Sequence, residues 1–241
     1  MISPTFINKE TINRLLKDIR NIIQNPLKDN GIYYIHDDVN ILKGYALIIG
    51  SDKTPYFGGF YFFEFNYPPD YPRNPPVVIF HTNGGNIRFN PNLYKSGKVC
   101  VSILNTWRGD QWSSCQTISS VLLIMSTILC ENPLLNEPGV SLNNTDLQKY
   151  NDIIEYSNIN IAICDIINKN PNIYKDYFNL FYDILKINFL KNYDELIKNV
   201  ETNIETFKEN PIIVVDIYHL VNRIDYMSTL NKLKECKLKL L

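Results

Sequence analysis

Five of the nine residues from 68 to 76 (Pro-Pro-Asp-Tyr-Pro-Arg-Asn-Pro-Pro) are proline. Proline has no amide N–H and a fixed φ, so this stretch can be neither helix interior nor central strand. It must run as a fixed path over a surface supplied by its neighbours. Those neighbours read as strands. Residues 31–36 (GIYYIH), 42–49 (LKGYALII) and 59–67 (GFYFFEFNY) are rich in aromatic and branched apolar side chains. Residues 77–81 (VVIFH) add a fourth short strand after the prolines. The short spacers between the runs imply an antiparallel meander.

Helical periodicity brackets the strands. Over 7–23, Ile7, Ile12, Leu15, Leu16, Ile19 and Ile23 recur at helical spacing, with Lys9, Arg14, Lys17 and Arg20 on other faces. Over 117–130, Ile118, Val121, Leu122, Met125, Ile128 and Leu129 form one stripe, and Asn132-Pro133 ends it. That stripe predicts a core helix. Residues 82–116 are rich in Gly, Asn and Pro and read as one long irregular segment. Such a loop is uncommon in a compact domain and is usually functional. A second irregular stretch, 131–144, leads into a helix expected over 146–168. After Asn170-Pro171 the texture changes, and helices are expected over 174–187, 193–207 and 213–240. The organisation expected is an α+β domain over 1–170 and a helical extension over 171–241 packed on or beside it.

Composition closes several function classes. Lys+Arg is 24 and Asp+Glu is 25, a net charge of −1, which gives no electrostatic footprint for nucleic acid or a membrane surface. No run approaches the ~20 apolar residues of a membrane span. The first ten residues have neither a basic start nor a long apolar stretch, so no secretory signal is expected. The cysteines (Cys100, Cys115, Cys130, Cys164, Cys236) are odd in number and scattered, which argues against a disulfide framework. There is no Cys-x-x-Cys pair, and His36, His81 and His219 lack ligand spacing, so no metal is expected. The expectation is an intracellular monomer with reduced thiols, cytoplasmic with the nucleus open to it.

The stretch that carries chemistry is Arg88-Phe89-Asn90-Pro91-Asn92-Leu93-Tyr94-Lys95-Ser96-Gly97-Lys98-Val99-Cys100. A cysteine closes a Gly-containing turn ahead of a core helix. It is a candidate nucleophile, and the plainer reading of the residue alone is a small buried side chain. No histidine stands where it would deprotonate Cys100. His81 lies 19 positions upstream at a strand end and reads as structural, so a Cys–His dyad is poorly supported.

These residues resemble ubiquitin-conjugating enzymes. That family shows a strand-rich start, a Tyr-Pro-x-x-Pro-Pro segment, then His-Pro-Asn with the active cysteine eight residues on, then a tryptophan and a helix. This chain has Tyr71-Pro72-Arg73-Asn74-Pro75-Pro76, Asn90-Pro91-Asn92, Cys100 eight positions after Asn92, Ser102-Ile103-Leu104, Trp112 and the 117–130 helix. The match runs in order over about 7–168. Within the family it is most similar to the C-terminally extended Z-type class. The shared features include Thr54-Pro55-Tyr56-x-Gly58-Gly59-Phe60, Arg88-Phe89-Asn90-Pro91-Asn92, Asn105-Thr106-Trp107, and Glu131-Asn132-Pro133 with Asn136-Glu137-Pro138-Gly139. Asn90 replaces the usual His, a loop-fixing residue, and can still hydrogen-bond locally.

The resemblance implies an α+β UBC-like fold: N-terminal helix, four-stranded antiparallel meander, active-site loop, core helix and C-terminal helices. It implies that ubiquitin or a ubiquitin-like modifier is carried as a thioester on Cys100 and passed to a lysine amine. That amine, with pKa about 10.4, must be oriented and lose a proton. Asn92 matches the oxyanion- or loop-stabilising position, Tyr94 an aromatic beside the incoming lysine, and Glu137 the acidic residue that orients it. The plainer alternatives are a turn-holding Asn92, a packing Tyr94 and a solvated Glu137. No cofactor is implied, since ATP is used upstream by the activating enzyme and the chain shows no phosphate loop.

The implied partners are the modifier, an activating enzyme met through the basic first helix (Lys9, Arg14, Lys17, Arg20) and a ubiquitin ligase. Arg73 and Trp112-Ser113-Ser114-Cys115 depart from the ligase-facing pattern, making both loops more polar and putting ordinary ligase binding in doubt. Trp107-Arg108-Gly109-Asp110 adds a loop near Cys100 that either gates substrates or is inert. The rival reading is a catalytically silent, ubiquitin-binding variant of the fold acting as an interaction module. Such variants typically lack the cysteine.

Overall fold

A computed structural model describes residues 7–241. Residues 1–6, on which the reading of the N-terminus as lacking a secretory signal largely rests, lie outside the described residues. Helix α1 (Lys9–Gln24) starts where Asn8 accepts the amide of Glu10 at 3.0 Å. It buries Thr11, Leu15, Asp18 and Ile22, a four-residue stripe.

The meander is β1 (Ile32–His36), β2 (Lys43–Ile49), β3 (Phe60–Asn66) and β4 (Val77–Phe80), antiparallel and in sequence order. Pairing β2 with β3 sets Tyr45, Leu47 and Ile49 opposite Glu64, Phe62 and Phe60. Gly44, Ala46 and Ile48 lie opposite Phe65, Phe63 and Tyr61. Because strand side chains alternate, these two sets occupy opposite faces. Phe60, Tyr61, Phe62, Phe63 and Phe65 are all fully buried, so both faces are covered. A continuous aromatic run, rather than an alternating one, is the mark of such a strand.

On one face the Tyr61 hydroxyl donates to Asn158 Oδ1 at 2.6 Å. On the other, the Phe62 ring stacks on Phe178 with centroids 3.7 Å apart and meets the edge of Phe181 at 5.8 Å. Tyr45 stacks on Tyr177 at 4.5 Å. Tyr177, Phe178 and Phe181 lie in a 3-10 helix, Asp176–Phe181. The segment after residue 170 is therefore the second lid of the sheet, and the buried apolar cluster is continuous from Leu15 to Leu240.

Helix α2 (Ile118–Thr127) begins at a capping box in which Thr117 and Ser120 satisfy each other's backbone amides. Helix α3 (Asp146–Ser157) runs on without a break as a π-helix, Asn158–Asp165. Periodicity alone reads the two as one element. The helices expected over 174–187 and 193–207 are, beyond that 3-10 turn, a single helix, α4 (Tyr182–Thr206). No glycine or proline interrupts the chain between 187 and 193.

The expected helix over 213–240, and with it a purely helical extension, is wrong over 213–225. Strand β5 (Ile212–Val215) pairs antiparallel with β6 (Leu220–Arg223), and α5 (Tyr226–Leu240) starts only after Asp225 caps the Ser228 amide at 3.0 Å. The β-branched run Ile-Ile-Val-Val favours the strand, and His219 takes the left-handed turn position at φ +48°. Among the described residues no helix is long and apolar enough to cross a membrane, and no His/Cys/Asp/Glu cluster suits a metal ion.

Phe178→Ala should cost about 3–5 kcal/mol in urea unfolding, because it empties a filled site against a fully buried ring. A loss under 1 kcal/mol would show that the extension does not hold the sheet. Stability should also fall with acid. His36 accepts the Tyr34 hydroxyl at Nδ1 (2.7 Å) and donates from Nε2 to the Ile41 carbonyl (2.9 Å), a neutral arrangement. Burial pushes both His36 and His81 below the usual histidine value. The unfolded chain then binds protons that the folded chain refuses, so this contribution is present above about pH 6.5 and is lost as pH falls. The urea midpoint should drop between pH 7.5 and 5, with a shallower slope in His36→Gln.

Candidate active site

The site is built around a buried amide. Gly58 turns the chain at φ +69°, and a Cβ on Gly59 would sit 1.8 Å from Asn158 Oδ1. Only a Gly-Gly pair permits this tight corner against the helix. The corner follows Tyr56, which lies fully buried and donates to the Phe89 carbonyl at 2.6 Å. Asn90, also fully buried, donates from Nδ2 to the Tyr56 hydroxyl (3.0 Å) and the Ile128 carbonyl (2.7 Å). Its Oδ1 accepts the Asn92 amide (2.9 Å) and, more weakly, Asn136 Nδ2 (3.4 Å). One side chain thus joins the β2–β3 connection, the end of α2, the 133–136 turn and the cysteine loop.

Asn92 passes this anchorage to Cys100. The Cys100 amide donates to the Asn92 carbonyl at 2.8 Å, and Asn92 Nδ2 donates back to the Cys100 carbonyl at 2.6 Å. Asn92 Oδ1 is buried with no partner. The Cys100 side chain is 3% exposed, and its thiol donates to the Thr106 carbonyl at 3.2 Å. Thr106 Oγ1 in turn accepts the Val101 amide at 2.9 Å and donates to the Val99 carbonyl at 2.8 Å. The loop carrying the thiol is pinned from both sides.

The 105–111 loop is tied within itself. Gln111 Nε2 donates to the carbonyls of Trp107 (2.9 Å) and Gly109 (3.2 Å), and Asn105 Oδ1 accepts the Trp112 amide (2.8 Å). Asn105, Thr106, Trp107, Arg108, Gln111 and Pro138 line a groove of about 750 Å³. Thr106, which holds the thiol, and Pro138, the neighbour of Glu137, therefore share one wall-to-wall space.

Of the residues expected at the site, Cys100 and Asn92 are bonded directly to each other. Tyr94 and Glu137 are not bonded to either. The Arg88 guanidinium lies 4.1 Å over the Tyr94 ring and 4.4 Å over that of Tyr218, and the Tyr218 hydroxyl donates to Glu137. Sequence reasoning missed the parts played by Thr106, Arg88 and Tyr218. Thr106 and Arg88 stand in motifs that carried the resemblance, but nothing local marks Tyr218.

Elsewhere the expectations divide. His81 lies by the sheet face covered by the extension, 3.3 Å from Glu64 without hydrogen-bond geometry and edge-on to Tyr177. Arg14, expected on a partner-facing surface, is committed internally. It grips Asp18 at 3.0 Å and donates to the carbonyls of Ser114 and Gln116, while Tyr71 donates to the same Asp18 at 2.6 Å. Lys9, Lys17 and Arg20 remain exposed. Arg73 is 72% exposed and 3.6 Å from Glu10, and Trp112 Nε1 donates to the Pro72 carbonyl at 2.7 Å.

An α+β meander with a cysteine pinned at a groove is the scaffold of a conjugating enzyme, and the comparisons with known proteins agree. The family model for ubiquitin-conjugating enzyme matches residues 14–158, more than half of the chain, so the chain belongs to that family. Human Ubiquitin-conjugating enzyme E2 Z is 45% identical over 157 residues, covering 64% of this chain and 44% of the human protein. The Caenorhabditis elegans Probable ubiquitin-conjugating enzyme protein 17 is 35% identical over 210 residues, covering 81% of this chain and 29% of that protein. The chain therefore spans less than half the length of these curated relatives. The solved structure of human Ubiquitin-conjugating enzyme E2 G1 aligns with a TM-score of 0.44 at 26% identity, over 52% of this chain and 97% of that one.

Under native conditions iodoacetamide should modify the exposed Cys115 well before the buried, hydrogen-bonded Cys100. Peptide mass mapping over time checks the order, and faster labelling of Cys100 would contradict the pinned loop.

Proposed function

We propose that this chain accepts ubiquitin or a ubiquitin-like modifier as a thioester on Cys100 and transfers it to a lysine amine of a target protein. The observation that carries the reading is Cys100 locked to Asn92 and bonded to Thr106, which lines a groove, within a family scaffold. In the first step the thiol leaves the Thr106 carbonyl and gives its proton to solvent. The thiolate attacks the thioester carbonyl held by an activating enzyme, and that enzyme's thiolate departs. No histidine is needed, because one thioester is exchanged for another of similar energy. No cofactor is needed either, because ATP is spent upstream.

In the second step the lysine nitrogen attacks the carbonyl. A C–N bond forms, the C–S bond breaks, the Cys100 thiolate leaves, and the proton lost by the amine passes to solvent. One Asn92 Nδ2–H holds the Cys100 carbonyl, and the other would donate to the developing oxyanion. Glu137, next to Pro138 of the groove wall, would orient the amine, and Tyr94 would flank it. Lys9, Lys17 and Arg20 form the remaining basic face of α1 for an acidic activating enzyme. Arg73 and the polar Ser113-Ser114-Cys115 loop leave little apolar surface for a ligase. A soluble monomer in the cytoplasm or nucleus fits this role.

The rival, a silent modifier-binding module, draws on one fact: the thiol is buried and already bonded. Mixing the protein with activating enzyme, ATP and ubiquitin separates the two. A reductant-sensitive adduct should form and be absent in Cys100→Ala. Asn92→Ala should charge normally yet discharge onto lysine about 10²-fold more slowly. No adduct across a panel of modifiers and activating enzymes would leave the module reading.

A further inference from the structure

The residues after 170 reach the acceptor side of the site at one point. Between β5 and β6 the turn Asp216–Tyr218 projects Tyr218 towards the core domain. Its hydroxyl donates to Glu137 Oε2, and its ring lies 4.4 Å from the Arg88 guanidinium. Arg88 is held between this ring and that of Tyr94, and its Nη2 donates to the Pro91 carbonyl at 2.6 Å. Glu137 and Tyr94, the two residues read as flanking the lysine, are thus linked through Arg88 and Tyr218.

The turn is itself fixed. The Asp146 carboxylate, 4% exposed at the start of α3, accepts the amides of Asp216 (2.9 Å) and Ile217 (3.3 Å). Tyr150 meets the Tyr218 ring edge-on at 5.9 Å and donates to the Arg88 carbonyl at 2.6 Å. Burial and the neighbouring carboxylate push the Tyr218 phenol far above its ordinary value, so it remains a donor. Three contacts thus converge on this one side chain: Glu137 on its hydroxyl, and Arg88 and Tyr150 on its ring.

We propose that Tyr218 is a positioning residue for the lysine-transfer step: it fixes the Glu137 carboxylate and, through Arg88, the Tyr94 ring, so that the C-terminal extension sets the geometry of the acceptor side. The inference rests on the carrier reading above. A carboxylate on a loop otherwise samples several rotamers. Bonded to a half-buried phenol through one oxygen, it presents the other in a fixed direction, which is what orienting an amine demands.

The test uses the full chain, charged with ubiquitin and discharged onto free L-lysine. Tyr218→Phe deletes only the hydroxyl and keeps the ring on Arg88 and Tyr150. It should discharge about tenfold more slowly, with the change mainly in the apparent KM for lysine. Thioester formation, read in the same samples, should be within twofold of the parent. In a Glu137→Ala background Tyr218→Phe should have no further effect, which a merely structural role would not produce. Asp146→Asn, which loosens the turn, should move discharge in the same direction. Parent-like discharge by Tyr218→Phe overturns the proposal, as does an undiminished effect without Glu137. If Tyr218→Phe lowers the melting temperature markedly, the Asp146→Asn discharge rate decides in the same sense. Failure of the parent to charge at all is seen before any discharge is measured; it defeats the carrier reading and this proposal with it.

Discussion

A fully buried primary amide must place its donors and acceptors or lose several kcal/mol of hydration. Asn90 meets that demand by reaching four separate segments, and the geometry around Cys100 follows from it. Tyr56 is drawn in to receive one proton, which in turn requires the Gly58-Gly59 corner. The Asn92 amide is captured by Oδ1, which sets Asn92 to bridge to Cys100. The 133–136 turn is tethered by Asn136, which brings Pro138 to the wall of the groove. The thiol is positioned by neutral, short-range hydrogen bonds rather than by a charged partner.

Much of this was legible in the sequence for a physical reason: it is local. The proline path, the aromatic strands, Cys100 and Asn92 all act over a few residues, where spacing and propensity are informative. What was lost is long-range. Tyr218 and Glu137 are 81 positions apart, and no pattern near either announces the other. Periodicity reads the β5–β6 hairpin as helix because Ile213, Ile217, Leu220 and Ile224 also fall at helical spacing. The basic first helix was read as a partner surface, yet Arg14 answers to the buried Asp18 and to two carbonyls far along the chain. A charge pattern cannot say which cation is already satisfied.

The family scaffold ends near residue 158, and the remaining third of the chain is welded to it. Phe178 and Phe181 close one side of the sheet, while the turn at Tyr218 reaches the other flank of the molecule near Arg88. Cys164 and Cys236 meet in the same continuous core, with the Cys236 thiol 3.8 Å from the Cys164 carbonyl. The extension is therefore a structural member that touches both the sheet and the acceptor side.

That arrangement bears on how the chain is made. Phe62 and Phe178 stack face to face but lie more than one hundred residues apart. During synthesis the four strands leave the ribosome roughly 5–25 s before the segment that covers them. Throughout that interval Phe60, Phe62, Leu47 and Ile49 face solvent as one apolar patch, the kind of surface that chaperones bind and that aggregates form through. The nascent sheet must therefore be sheltered, or stay unpaired, until its own C-terminal third arrives.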